Sequence, residues 1–331
     1  MATILDVAKK ARVSKTTVSR YLNKQDAGHM SDSTKERIRT AIEELNYSPS
    51  SIARSLKKKT TNVIGFIVHD MTNPFFLQMI QGVEKELKNS GYNLLLCSSD
   101  LQVEKEVECL QMLEQKQIDG ILLVGMNMPI THIKKLKIKA PIVLLERDVP
   151  NREFDVVKIN NKAGTYQAVQ HLIQRGHTRI AHIRGAHLSV PAKERWEIFK
   201  QCMEDNGLEV YPQYVVQGDY KLESGYEAMA TLMHLNPRPT AVFCANDNMA
   251  MGALRYLQEQ KIAVPEQVAL VGYDDIPMAE MVTPALTTVR QPVMELARTA
   301  TQLLLNRIQE EGKGVTREII MDSELVVRKS S

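Results

Sequence analysis

The chain of 331 residues has no run of about 18 apolar residues, so its sequence pattern excludes a membrane-spanning helix. Its N-terminus lacks the apolar core of a secretory signal, and a cytoplasmic protein is expected. Cysteine is scarce. Cys97, Cys109, Cys202 and Cys244 are widely spaced in no metal-ligand pattern, and each is expected to pack as a small hydrophobe in a reducing compartment. No metal site is expected of the lone His69, His182 and His187 either. The glycine-rich loops of nucleotide enzymes are missing: the first predicted core strand runs on into HDMTNPFF, with no GxGxxG, and neither a P-loop nor a GxSxG elbow occurs. These absences argue against an enzyme and against a bound cofactor. Nor is there a fixed short repeat, a low-complexity tract, or a heptad tail that would build a tetramerising coiled coil.

Net charge is small, +3, but unevenly placed. Residues 1–60 carry 13 Lys or Arg against 6 Asp or Glu, and the remaining chain carries 29 against 33. That concentration fits a basic N-terminal part that alone meets phosphates. Within it stands TILDVAKKARVSKTTVSRYLN, residues 3–23. Ile4, Val7, Ala8 and Ala11 fall at i, i+3, i+4 and i+7, with Thr3 placed to cap and Asp6 near the positive helix end. Ser14 can cap a second helix whose Val18, Tyr21 and Leu22 share one face and whose Lys15, Thr16, Ser19 and Arg20 share the other. The pair reads as a helix-turn-helix with a DNA-entering second helix, or else as a surface helical hairpin.

A third helix is expected behind a Ser33–Glu36 capping box, with Ile38, Ala41, Ile42 and Leu45 inward and Asn46 and Pro49 as its stop. SPSSIARSLKKK, residues 48–59, reads as a basic linker in the free protein that can fold on DNA. From residue 61 the texture changes to alternating strand and helix. Strands are predicted at 62–68, 92–97, 120–124 and 141–146, with helices at 75–90 and 103–116. A second series is read from strand 156–160 onward, through strands 179–183, 214–217, 240–244 and 268–271 and helices 163–175, 192–206, 224–235 and 249–260. This is doubly wound α/β architecture, in which ligands bind at the carboxyl ends of strands.

Together the helix pair, IARSLKKKTTNVIGFIV, NPFF at 73–76, VQHLIQRGHTRIAHIRG at 169–185, ANDNMAMGAL at 245–254, and VGYDDIP with TPALTTVRQP across 271–292 resemble the LacI/GalR family of bacterial transcription regulators over the full length. The resemblance implies an all-α helix-turn-helix headpiece at 1–47, a hinge helix or linker at 48–60, and a core at 61–331 of two doubly wound subdomains similar to periplasmic sugar-binding proteins. The N-subdomain would take about 61–158 and 290–319, and the C-subdomain about 159–289 and 320–331. The chain would cross between them near 158–162, 288–290 and 318–321, with strands Thr287–Arg290 and Glu318–Met321 exchanged. It further implies a homodimeric, ligand-switched repressor on a pseudo-palindromic operator, associated with the nucleoid when bound. A transport sugar-binding protein is the alternative of another class, opposed by the basic headpiece and the missing signal.

On that resemblance Lys15, Thr16 and Arg20 face base edges, and Leu56 is a minor-groove wedge rather than a tether to the core. Ser14, Thr17, Ser19, Asn23, Lys57 and Lys58 hold phosphates, with Lys59 adding salt-sensitive affinity. Family cleft positions correspond to Asn73, Phe75, Phe76, Arg147, Asn160, Arg195, Tyr220, Asn246, Asp274 and Gln291. Aromatic faces and bidentate polar groups of this kind suit a polyhydroxylated ring. A ribose-type sugar is the first expectation. A sugar acid or sugar phosphate is the alternative, through Arg147, Arg195 and Lys193, and a protein corepressor on the N-terminal half of the core stays open. The sequence departs from the family at Glu146, where sugar binders often have Asp, and at Ile198, where Gly is frequent. Ser189 and Pro191 stand where nucleobase-responsive members make polar contacts, which weighs against a purine.

Overall fold

A computed structural model of the chain describes residues 2–23, 30–48, 60–124, 128–147, 149, 153–187, 189–310 and 314–331. It divides into two compact units, residues 1–61 and 62–331.

In the first unit, α1 (Ile4–Lys10) starts from a reciprocal cap: the Thr3 amide donates to Asp6 Oδ2 at 2.8 Å, and the Asp6 amide donates to Thr3 Oγ1 at 3.4 Å. The Thr3 hydroxyl and amide hold the Asp6 carboxyl below its ordinary range. Arg12 takes the left-handed region at φ 56°, turning the chain into α2 (Lys15–Leu22), which Ser14 caps through the Thr17 amide at 3.0 Å. The third helix, α3 (Asp32–Glu44), begins earlier than the predicted Ser33 box. Ser31 is its cap and accepts from the Thr34 amide at 3.3 Å, while Glu36 pairs with Arg39 instead. In a run such as SDST several hydroxyls can cap, and the backbone at Ser31 (φ −62°, ψ 149°) decides among them. Val7, Ala8, Ala11, Val18, Ile38 and Ala41 form the small core, and Asn46 at φ 44° ends α3.

The second unit holds two six-stranded sheets. The first contains β1 (Val63–Val68), β2 (Asn93–Ser98), β3 (Gly120–Val124), β4 (Ile142–Leu145), β5 (Asp155–Ile159) and β11 (Glu318–Met321), in spatial order β11-β5-β4-β3-β1-β2. The second contains β6 (Ile180–Arg184), β7 (Val215–Gln217), β8 (Ala241–Cys244), β9 (Ala269–Asp274), β10 (Thr287–Arg290) and β12 (Glu324–Val326), in order β12-β10-β9-β8-β6-β7. Pairing is parallel throughout except between β10 and β12. Central strands are buried on both faces, which explains apolar runs such as VIGFIV and GILLV rather than alternation.

Connecting helices cover the sheets: α4 (Pro74–Asn89), α5 (Val103–Gln115), α6 (Ile130–Lys135), α7 (Asn161–Gln174), α8 (Val190–Asp205), α9 (Leu222–Met233), α10 (Asp247–Glu259), α11 (Met278–Met281) and α12 (Val293–Gln309). At six residues, α6 is too short to show a sequence period. The strand read as opening the second series, β5, instead pairs with β4 in the first sheet, with Leu145 opposite Val157. Its flanking pattern is that of any buried strand and cannot say which sheet it joins. The chain passes from one sheet to the other at Asn160, at 291–292 and at 322–323. Between the last two passages α12 packs on β3, β4 and β5, anchored by Arg307, whose Nε and Nη2 donate to the buried Asp155 carboxylate at 2.5 and 3.0 Å.

Candidate effector cleft and DNA-reading face

A cavity of about 590 Å³ opens in the second unit, and its walls come from loops at the carboxyl ends of strands in both sheets. His69, Asp70 and Asn73 follow β1, Asp100 follows β2, and Glu146 follows β4. From the second sheet, Ser189 and Arg195 follow β6, Asp219, Tyr220 and Lys221 follow β7, Asp274 ends β9, and Gln291 follows β10.

Local sequence fixes each group. Asn73 caps α4 through the Phe75 amide at 3.0 Å, and Pro74 occupies the first turn, so NPFF delivers two rings to one place. Phe75 and Phe76 meet edge to face at 5.3 Å, and His69 meets Phe76 at 5.8 Å. Phe75 also belongs to the core beneath. Ser189 caps α8 and hydrogen bonds the Tyr220 hydroxyl at 2.8 Å. Tyr220 is held in the left-handed region at φ 73°, and burial raises its phenol. Its ring lies so close to Gly185 that a Cβ there would overlap it, which is why residue 185 has no side chain.

Arg195 organises the floor. Its Nε donates to Asn161 Oδ1 at 3.0 Å and its Nη1 to the Ala245 carbonyl at 2.5 Å, while its guanidinium lies 3.6 Å from the Tyr273 ring centroid. Asp274 Oδ1 stands 4.0 Å from Nη1 and accepts from Gln291 Nε2 at 2.6 Å. The other Gln291 oxygen, Oε1, is buried without a hydrogen-bond partner among the described residues. Glu146, at φ 53°, accepts from the Ile159 amide at 2.8 Å. Burial pushes the Glu146 carboxyl up to about 7, and the Ile159 amide and Arg195 only partly offset it. Burial likewise pushes Asp274 up to about 7 against the pull of Arg195 and Gln291. For Arg195, burial opposes the charge, but Tyr273, Tyr220, Asp274 and Glu146 outweigh it and hold the group above its ordinary value.

Of the ten residues expected in the cleft, Asn73, Phe75, Phe76, Arg195, Tyr220, Asp274 and Gln291 line it together. Three do not. Arg147 is buried away from the cavity with Nη2 donating to the Met128 carbonyl at 2.5 Å, and its neighbour Glu146 faces the cavity instead. Asn160 caps α7 through the Ala163 amide and donates to Asp322 Oδ1 at 2.9 Å. Asn246 caps α10 and donates to the Tyr220 carbonyl at 3.0 Å, so it shapes the wall from behind. Asp70, Asp100, Asp219 and Lys221 are cavity residues the sequence reading passed over. Their signal was position alone: each lies within a few residues of a strand end.

On α2, Lys15, Thr16 and Arg20 are exposed on one side while Val18 is fully buried on the other. Thr17, Ser19 and Asn23 are half-buried. The Ser14 and Thr17 hydroxyls bond each other at 2.8 Å, and Asn23 Nδ2 donates to the Ser19 carbonyl at 2.7 Å, so these groups finish the helix ends as well as facing outward. Leu56, Lys57 and Lys58, and with them most of the expected hinge at 48–60, lie outside the described residues. No helix among the described residues is long and apolar enough to cross a membrane.

Comparison with known proteins gives these two regions a common context. Residues 3–50 match the family of bacterial regulatory proteins of the lacI type, and residues 169–331 match a periplasmic binding protein-like domain. The chain is 40% identical over 333 residues to the HTH-type transcriptional repressor PurR of Haemophilus influenzae, covering all of this chain and 98% of that protein. It is 38% identical over 331 residues to the ribose operon repressor of Halalkalibacterium halodurans, covering all of this chain and 97% of that one. Among solved structures, the Lac repressor dimer bound to operator and the anti-inducer ONPF superposes with a TM-score of 0.87 at 26% identity, over 99% of this chain and 98% of that chain. A helix-turn-helix unit and a two-sheet, cleft-bearing core on one chain are the parts of a ligand-binding transcriptional repressor rather than of an enzyme, and this chain belongs to the LacI family.

Proposed function

We propose that the protein is a dimeric repressor that reads a pseudo-palindromic operator through α2 and a hinge leucine, Leu56, and that a neutral, hydroxyl-dense sugar of the ribose type switches it. Operator binding places it in the cytoplasm. The observation that carries the effector class is the cavity's charge. Asp70, Asp100, Glu146, Asp219 and Asp274 line it against only Arg195 and Lys221, and Arg195 is already engaged with Asn161, Ala245 and Tyr273. Such a wall repels a sugar acid or sugar phosphate and offers acceptors, Gln291 Oε1 among them, to hydroxyl donors. The Phe75–Phe76 pair supplies an apolar surface for a ring's C–H face.

A purine base is the competing occupant. Against it, Ser189 has already spent its hydroxyl on the α8 cap and Tyr220, and Pro191 has no amide to donate. The test is a thermal-shift series with D-ribose, ribose 5-phosphate, ribonate and hypoxanthine, since a ligand of the native state raises the melting temperature. A shift with ribose and none with its anionic derivatives is expected. A shift with hypoxanthine or an anionic derivative alone would overturn the sugar reading. Operator binding repeated with the active compound then separates inducer from corepressor.

A further inference from the structure

The floor of the cleft holds more acid than base. Glu146 and Asp274 are both less than a tenth exposed and flank one guanidinium, that of Arg195. The hydrogen bonds of Arg195 go to neutral oxygens, Asn161 Oδ1 and the Ala245 carbonyl, so no second carboxylate completes its shell. Groups facing Glu146 are the Ile159 amide from β5, Glu194 and Arg195 from α8, and Asp274 from β9, with the Tyr220 and Tyr273 phenols close by. Asp274 faces Arg195 and Gln291 and feels Asp247 behind it, whose own carboxyl is committed to the Ile276 amide and the Thr288 hydroxyl. Two buried carboxylates beside one cation leave a charge deficit that water cannot screen.

We propose that Glu146 and Asp274 share a retained proton in the empty cleft, and that effector binding expels it, so effector affinity is coupled to pH near neutrality. Burial placing both carboxyls near 7 agrees with this. A sugar hydroxyl donating to either group favours the ionised form, and the displaced proton passes to solvent. Binding therefore tightens as pH rises, by up to about tenfold per pH unit for one proton released. The proton itself follows from the cluster; only its coupling rests on the cleft being the effector site.

The test has two arms, both on the full chain. Without ligand, melting temperature is followed from pH 5 to pH 8 for wild type, Glu146→Gln and Asp274→Asn. A carboxyl whose folded value is raised stabilises the fold below its unfolded range and loses that contribution as pH rises to about 7. Wild type should lose several degrees over that range relative to Glu146→Gln, whose amide keeps the neutral form. Parallel profiles in all three proteins would overturn the proposal. Should a variant fail to fold, the infrared C=O stretch of a neutral carboxylic acid in wild type, present at pH 6 and gone at pH 8.5, decides the same point. With ligand, the affinity for D-ribose is measured at pH 6, 7 and 8, and a pH-independent affinity in wild type overturns the coupling. If ribose causes no shift at any pH, the ribose reading fails while the first arm still decides the proton.

Discussion

Arg195 shows how much one side chain can be asked to do. It is a buried cation held in orientation by a side-chain amide, a backbone carbonyl and the face of Tyr273, with Asp274 at its edge. Lysine keeps the charge but has neither the fork nor the plane that this arrangement uses. Arg195→Lys should therefore weaken effector binding by about 1.5–3 kcal/mol, the worth of a charge-assisted hydrogen bond, with operator affinity in the absence of effector little changed. Titration of effector against fluorescence of Trp196, the single tryptophan and the next residue in α8, would read it. On α2, Arg20→Ala should relax one operator position by about 1–3 kcal/mol. A uniform loss across operator sequences would make Arg20 a phosphate contact. Leu56→Ala should lower operator affinity and reduce DNA bending in a circular-permutation gel shift, and unchanged bending would remove the wedge.

At the scale of elements, close helix packing makes another demand. Helices α9 and α10 touch through Gly225 and Gly252, and a Cβ at Gly252 would overlap the Leu222 carbonyl. Backbone cannot step aside as a flexible side chain can. Gly252→Ala should cost at least the 1–3 kcal/mol or so typical of overpacking, even though alanine is the better helix former, and chemical denaturation would show it. Ser14→Ala, which removes the α2 cap, should cost about 1 kcal/mol in the same assay.

Elements of this kind were legible because period and caps are local. The Thr3 and Ser14 caps, the Val18 stripe and the buried apolar strands all follow from neighbours within a few residues. What escaped was decided by distant partners or by backbone geometry. Arg147 looked like a cleft residue because it follows a strand end, yet the left-handed turn at Glu146 puts the acid in the cavity and the arginine behind it. Asn160 and Asn246 carry the right chemistry for a sugar but are consumed as helix caps. Asp70, Asp100 and Asp219 stand in ordinary polar loops, and only the closing of two sheets around one cavity gives their charge a meaning.

In the whole molecule the three passages between sheets meet the cleft directly. Gln291, at the second passage, lines the cavity, and Glu146 grips the Ile159 amide one residue before the first. The first and third passages are tied to each other: the Asn160 amide donates to the Met321 carbonyl at 2.7 Å, and Asn160 Nδ2 donates to Asp322 Oδ1 at 2.9 Å. An effector that draws the two halves together must change the angle at these strands, so the tie biases the open and closed populations even where it adds little stability. Asn160→Ala removes a helix cap as well as the tie and should cost about 1 kcal/mol in unfolding. Asp322→Ala removes an exposed partner and should stay within about 0.5 kcal/mol of wild type. Both should nonetheless shift the effector concentration that half-converts operator binding, and in the same direction, because both loosen one hinge. Anisotropy of a labelled operator, titrated with effector in the two variants, measures that shift. An unchanged midpoint in both would mean that the passages are passive connections, with the coupling carried by contacts across the cleft alone.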